Sequence, residues 1–105
     1  MMSAYIEELR AAIRRIHGAE TTHVSSVPVK ETFQGKTVWE GIVEVFDLHD
    51  HPTASIVYAW THKTDDPETP RHVMVLHVHP VTSPELAVRA AIVQEFRNLG
   101  TEEET

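Results

Sequence analysis

One stretch, Lys36 to His62 (KTVWEGIVEVFDLHDHPTASIVYAWTH), limits what this chain can fold into more than any other. In its first run Val38, Glu40, Ile42, Glu44 and Phe46 alternate with Trp39, Gly41, Val43 and Val45. In its second, Ala54, Ile56, Tyr58 and Trp60 alternate with Ser55, Val57, Ala59 and Thr61. Successive side chains of an extended strand point to opposite faces, so a period of two in β-branched and aromatic residues marks two strands. Between them Asp47 to Thr53, with Asp50 and Pro52, has the chemistry of a turn. The two runs read as a hairpin on which the rest of the chain must pack.

Before this hairpin, Ile6, Leu9, Ile13 and Ile16 step by three and four, the spacing of one buried helical stripe. Ser3 is placed to cap that helix, Glu7 and Glu8 sit in its first turn and Arg14, Arg15 and His17 in its last, and Gly18 closes it. His23 to Phe33 then reads as a strand, turned into Lys36 by Gln34-Gly35. Pro28 lies within it and has no N–H to donate, which places this strand at a sheet edge.

After the hairpin comes an acidic loop, Lys63 to Pro70, and a fourth strand from Arg71 to His79, stopped by Pro80. Ser83-Pro84-Glu85 opens a second helix, with an N-cap, a proline at the first helical position and an acid in the first turn. Its inner stripe is Val88, Ala91, Ile92, Phe96 and Leu99, and Gly100 ends it. The order α-β-β-β-β-α with short connections predicts an α+β fold, a four-stranded antiparallel meander sheet with the N- and C-terminal helices on one face. Residues 1–100 form a single domain, and 101–105 a short acidic disordered tail.

Composition removes several function classes. The chain has 105 residues and no cysteine, so thiolate nucleophiles, disulfides and cysteine-ligated metals are out. Its formal charge is -7, and with Lys30, Lys36 and Lys63 as its only lysines it has no basic face for nucleic acid. No apolar run approaches a membrane span, and the expectation is a cytoplasmic protein.

The sheet faces carry the functional argument. Pairing Leu48 with Thr53 puts Glu44 opposite Val57 and gathers Trp39, Val43, Val45, Tyr58 and Trp60 on one face, a core to lie beneath the helices. Gly41, in mid-strand, marks a bulge or a close approach by a helix or ligand. On the other face fall Ile42, Glu44, Phe46, Val57, Val75 and His77, apolar but interrupted by charge. If both helices cover the first face, this one needs another cover, either a second copy in a homodimer or a small apolar ligand.

Two constellations carry chemistry. His49-Asp50-His51 and His77-Val78-His79 fall at one edge of the meander, and imidazoles at that spacing can hold a divalent metal. Glu44 and His77, placed in register across one strand, are candidate catalytic residues as an acid-base pair. No serine stands in a nucleophile-elbow pattern. The leading expectation is therefore a small homodimeric binding module without catalysis of its own. The alternative is a small metal-dependent or acid-base enzyme built on His77, His79, His49, His51 and Glu44.

Overall fold

The computed structural model describes residues 4–62 and 71–104, with side chains described for 4–61 and 71–94. The loop Lys63 to Pro70, the cap residue Ser3, the terminal Thr105 and the side chains of Phe96 and Leu99 lie outside the described residues. Helix α1 spans Ala4–His17, and strands β1 (Thr21–Phe33), β2 (Lys36–Leu48), β3 (Ile56–His62) and β4 (Arg71–Leu76) follow, then helix α2 (Pro84–Glu104). The strands form one antiparallel sheet in the order β1-β2-β3-β4. Class, element order and meander agree with the sequence reading.

Local chemistry accounts for the element ends. Gly18 leaves α1 with φ +69°, and its N–H donates to the carbonyl of Arg14 at 2.8 Å. At the start of α2 the Ser83 hydroxyl accepts from the Leu86 N–H at 3.2 Å, as an N-cap should. Gln34 and Gly35 both have positive φ, the conformation of a tight hairpin turn that matches the twist of its strands. Helix α2 spans Pro84–Glu104, so its backbone continues past Gly100, where the sequence reading ended it. A glycine inside a helix costs about 1 kcal/mol relative to alanine, which weakens the helix there without ending it.

The main departure from expectation concerns the helices, which lie on opposite faces of the sheet. Ile6, Leu9 and Ile13 of α1 pack with Phe46, Leu48, Val57 and Ala59, against which Met74 and Leu76 also lie. Ala87 and Val88 of α2 pack instead with Val43, Val45, Tyr58 and Trp60, together with Val73 and Val75. Neighbouring positions along each strand thus belong to different cores, giving three layers with the sheet in the middle.

The physical reason is the phase of β4. Both of its alternating sets are apolar, so hydrophobicity alone cannot say which faces which side. The register Tyr58↔Val75 and Ala59↔Met74 puts Val73 and Val75 with the tryptophans and Met74 and Leu76 under α1, the reverse of the sequence assignment. At the β2–β3 turn the pairing is also displaced by two residues, with Phe46 opposite Val57 and Glu44 opposite Ala59. Asp50 at φ +57° lengthens that turn, and the His51 ring holds it by accepting from the N–H groups of Thr53 and Ala54, both at 3.2 Å. A shift of two preserves the face of every side chain, so the faces of β2 and β3 stand as read.

Candidate functional site

Strands β2 and β3 are paired only over a short ladder, from Glu44↔Ala59 to Asp47↔Ile56, although β2 runs back to Lys36 and β3 on to His62. Beyond Glu44 the two strands part. The β1–β2 ribbon carries irregularities at Val24 and Val38, where the register slips, and bulges of this kind add twist that curls a ribbon away from its neighbour. Across the parting, the rings of Trp39 and Trp60 meet edge-on with centroids 5.6 Å apart. Trp39 folds back over Gly41, where a Cβ would lie 3.1 Å from its indole, so the close approach expected at this glycine is made by the chain's own tryptophan.

Two spaces lie beside the parting, both bordered by Trp39 and Trp60. The larger, of about 720 Å³, has walls that include Trp39, Trp60, Val73, Val75, Val88 and Ala91 and also takes in Ile16 and His17 of α1 and Met74 of the α1 core. Toward α1 lies a second of about 470 Å³, bounded by Tyr5, Glu40, Ile42 and Thr61 and sharing the two tryptophans. The larger volume falls in the range of ligand pockets, which are mostly apolar with a few polar groups. Among its polar groups is His17, at the α1 end of the space, whose pKa is lowered below 6.5 by burial and, secondarily, by His51. This imidazole is therefore biased to its neutral form.

Glu44 is buried on the α1 side, with a side chain only 7% exposed. Its Oε1 accepts from the Ser26 hydroxyl and lies 2.9 Å from Nε2 of His23, whose ring is edge-on to Phe46 at 5.3 Å. Period-two reading would pair His23 with Ser25. The bulge at Val24 resets the phase, so that His23 opposite Phe46 and Ser26 opposite Glu44 share a face. No sequence signal marked that bulge, and His23 and Ser26 were missed for this reason. Chemically the cluster is a carboxylate satisfied by a hydroxyl and an imidazole. It lacks the order nucleophile, base, orienting acid, because the imidazole does not stand between the other two.

His77 does not meet Glu44. Its backbone N–H donates to the carbonyl of Ile56, and its Nδ1 lies 2.6 Å from the Tyr58 hydroxyl. Tyr58 has its pKa raised, first by burial and then by the charge of Glu85, so the phenol keeps its proton. The expected acid-base pair is replaced by two separate contacts, Glu44 with His23 and His77 with Tyr58, because the β4 phase puts His77 on the α2 side.

The four histidines proposed for a metal are likewise distributed. His49 Nε2 lies 2.8 Å from the Thr22 hydroxyl, His51 caps its own turn and stands edge-on to His17 at 5.9 Å, and His79 is exposed in the turn after β4. Among the described residues no three His, Asp or Glu side chains gather closely enough to hold a metal ion. Of the face assigned to a ligand or dimer, Phe46 and Val57 are fully buried under α1 and Val75 belongs to the α2 core. Only Ile42 remains substantially exposed. No described helix is long and apolar enough to cross a membrane. No match to this chain was found among known family models, curated proteins or solved structures.

Proposed function

We propose that this protein is a small cytoplasmic binding module that holds an uncharged, largely apolar small molecule between α2 and the opened half of the sheet. The observation that carries this reading is the cavity of about 720 Å³ walled by Trp39, Trp60, Val73, Val75, Val88 and Ala91. Burying apolar surface there contributes roughly 25 cal/mol per Å² removed from water, which suits a hydrophobic guest. The bias of His17 toward its neutral form supports an uncharged one. Its two tryptophans are the only ones in the chain, so intrinsic fluorescence reports on the site directly.

The test is a titration with N-phenyl-1-naphthylamine, a neutral apolar fluorophore, following tryptophan quenching and energy transfer. Saturable binding at one site, weakened about tenfold or more by Ala91→Trp, which fills the cavity, is the expected outcome. Linear, unsaturable partitioning that Ala91→Trp leaves unchanged would refute the proposal.

Self-association is a weaker companion to this reading, because most of its expected face is covered within one chain. What supports it is the exposure of Val38 and Ile42, and sedimentation of the wild type against Ile42→Lys checks it. An acid-base enzyme is the second reading, resting on the buried Glu44 with His23 and Ser26 on one oxygen. It requires that Glu44→Gln abolish a hydrolytic or isomerase activity of the wild type while the fold survives.

A further inference from the structure

The larger cavity has an apolar body and a polar end. Trp39 and Trp60, with the valines of β4 and α2, make the body, and His17 stands at the α1 end. Apart from the two indoles, the polar side chains that line it among the described residues are His17, Arg71, His72 and Gln94. Three of these are already engaged. His72 has Nδ1 at 3.1 Å from the Thr61 hydroxyl and Nε2 at 3.4 Å from Oε1 of Glu8. Arg71 and Gln94 each have an interaction of their own. His17 has its ring edge-on to His51 and, among the described residues, makes no hydrogen bond.

That inventory limits what a guest can present at the α1 end. A neutral imidazole has one N–H and one bare nitrogen, so it donates and accepts without offering charge. A carboxylate would call for an imidazolium, the form that burial disfavours at His17. An ammonium would give up water for apolar walls with no carboxylate to replace it, since no Asp or Glu lines the cavity among the described residues. A hydroxyl both donates and accepts, and so suits either tautomer of His17.

We infer that the guest of this cavity is an apolar alcohol or phenol, its hydroxyl hydrogen-bonded to His17 at the α1 end and its body against Trp39 and Trp60. The inference rests on the reading of the cavity as a small-molecule site, and adds to it the class of guest and the residue that selects it. In a cavity of hydrocarbon alone a methyl group is preferred to a hydroxyl, which loses water and gains no partner. His17 shifts that balance toward the hydroxyl.

The probes are 4-phenylphenol and 4-methylbiphenyl, which match in shape and exchange a hydroxyl for a methyl. At neutral pH the phenol keeps its proton, since such groups ionise near about pH 10. Each is titrated into wild type and His17→Phe by tryptophan fluorescence, giving the phenol-to-hydrocarbon affinity ratio in each protein. That ratio is expected to be about fivefold or more higher in wild type, the worth of one hydrogen bond. His17→Gln, which keeps a donor and an acceptor, is expected to restore part of it. A measurement on wild type alone removes any dependence on how the variants fold. In long-range proton–nitrogen NMR spectra the His17 ring nitrogens are expected to shift further on saturation with the phenol than with the hydrocarbon. Equal ratios in wild type and His17→Phe, or ring nitrogens that respond alike to both probes, would overturn the inference and leave the site standing. So would binding of N-phenyl-1-naphthylamine without binding of the phenol. If none of the three compounds binds saturably, the site reading falls and the inference with it.

Discussion

If the sheet separates two cores, their perturbations must be energetically independent. Leu9 of α1 and Val88 of α2 are both fully buried, one in each core. Truncating a buried leucine to alanine costs about 2–5 kcal/mol, and about 3 is a fair central value for Leu9→Ala. Val88→Ala removes two methyl groups, about 0.8 kcal/mol each in transfer, and leaves a small void, for about 2 kcal/mol in total. At roughly 0.1 kcal/mol per residue a domain of this size is stable by about 10 kcal/mol, so the double variant retains a measurable folded state. Urea unfolding of wild type, both single variants and the double variant gives the coupling energy. Sites on opposite sides of a sheet share no partner, and additivity within about 0.5 kcal/mol is expected. A coupling above about 1 kcal/mol would mean the two side chains share a cavity, and would refute the three-layer arrangement.

Three further expectations concern single residues. With His17 held below its ordinary pKa of 6.5, the unfolded chain takes up a proton there that the folded chain resists. Its contribution to stability is thus complete above pH 6.5 and is lost as pH falls through the lowered value, and His17→Gln should flatten the acid limb of a stability-pH curve. Glu44→Ala strips His23 and Ser26 of their shared acceptor and should cost about 1–3 kcal/mol by urea unfolding, with Glu44→Gln milder because an acceptor oxygen remains. Gly35→Val forces a β-branched side chain into φ +78° and should cost about 1–2 kcal/mol, read as a lowered urea midpoint with unchanged slope.

What the sequence made legible were features with a local cause. The stripe of Leu9 and Ile13, the cap at Ser83, the close at Gly18 and the turn at Gln34-Gly35 each follow from a few neighbouring residues, and the structure has them. Relations between strands were harder to read. In β4, Val73 and Val75 alternate with Met74 and Leu76, so either phase buries an apolar set, and only tertiary pairing chooses. One extra residue at Val24 moved Ser26 into reach of Glu44, and no composition signal announces a bulge. The parting of β2 from β3 was hidden for a similar reason, because alternation continues through Trp39 and Trp60 whether or not their backbones are paired. The candidate residues Glu44 and His77 were therefore sound as individuals and wrong as a pair.

The meander order also has a consequence for how quickly the chain finds its structure. Each strand pairs only with its neighbours in sequence, so no pairing in the sheet waits on the closure of a long loop, and topology of this kind favours fast folding. The exceptions are the helices, since α1 leads the chain yet packs against Met74 and Leu76, and α2 follows the sheet yet packs with Val29 of β1. Those contacts have large separations to close and should form after the rate-limiting barrier, while the β1–β2 hairpin forms before it. In stopped-flow kinetics, Leu9→Ala should then accelerate unfolding and leave refolding nearly unchanged, whereas Val43→Ala, in the hairpin, should slow refolding.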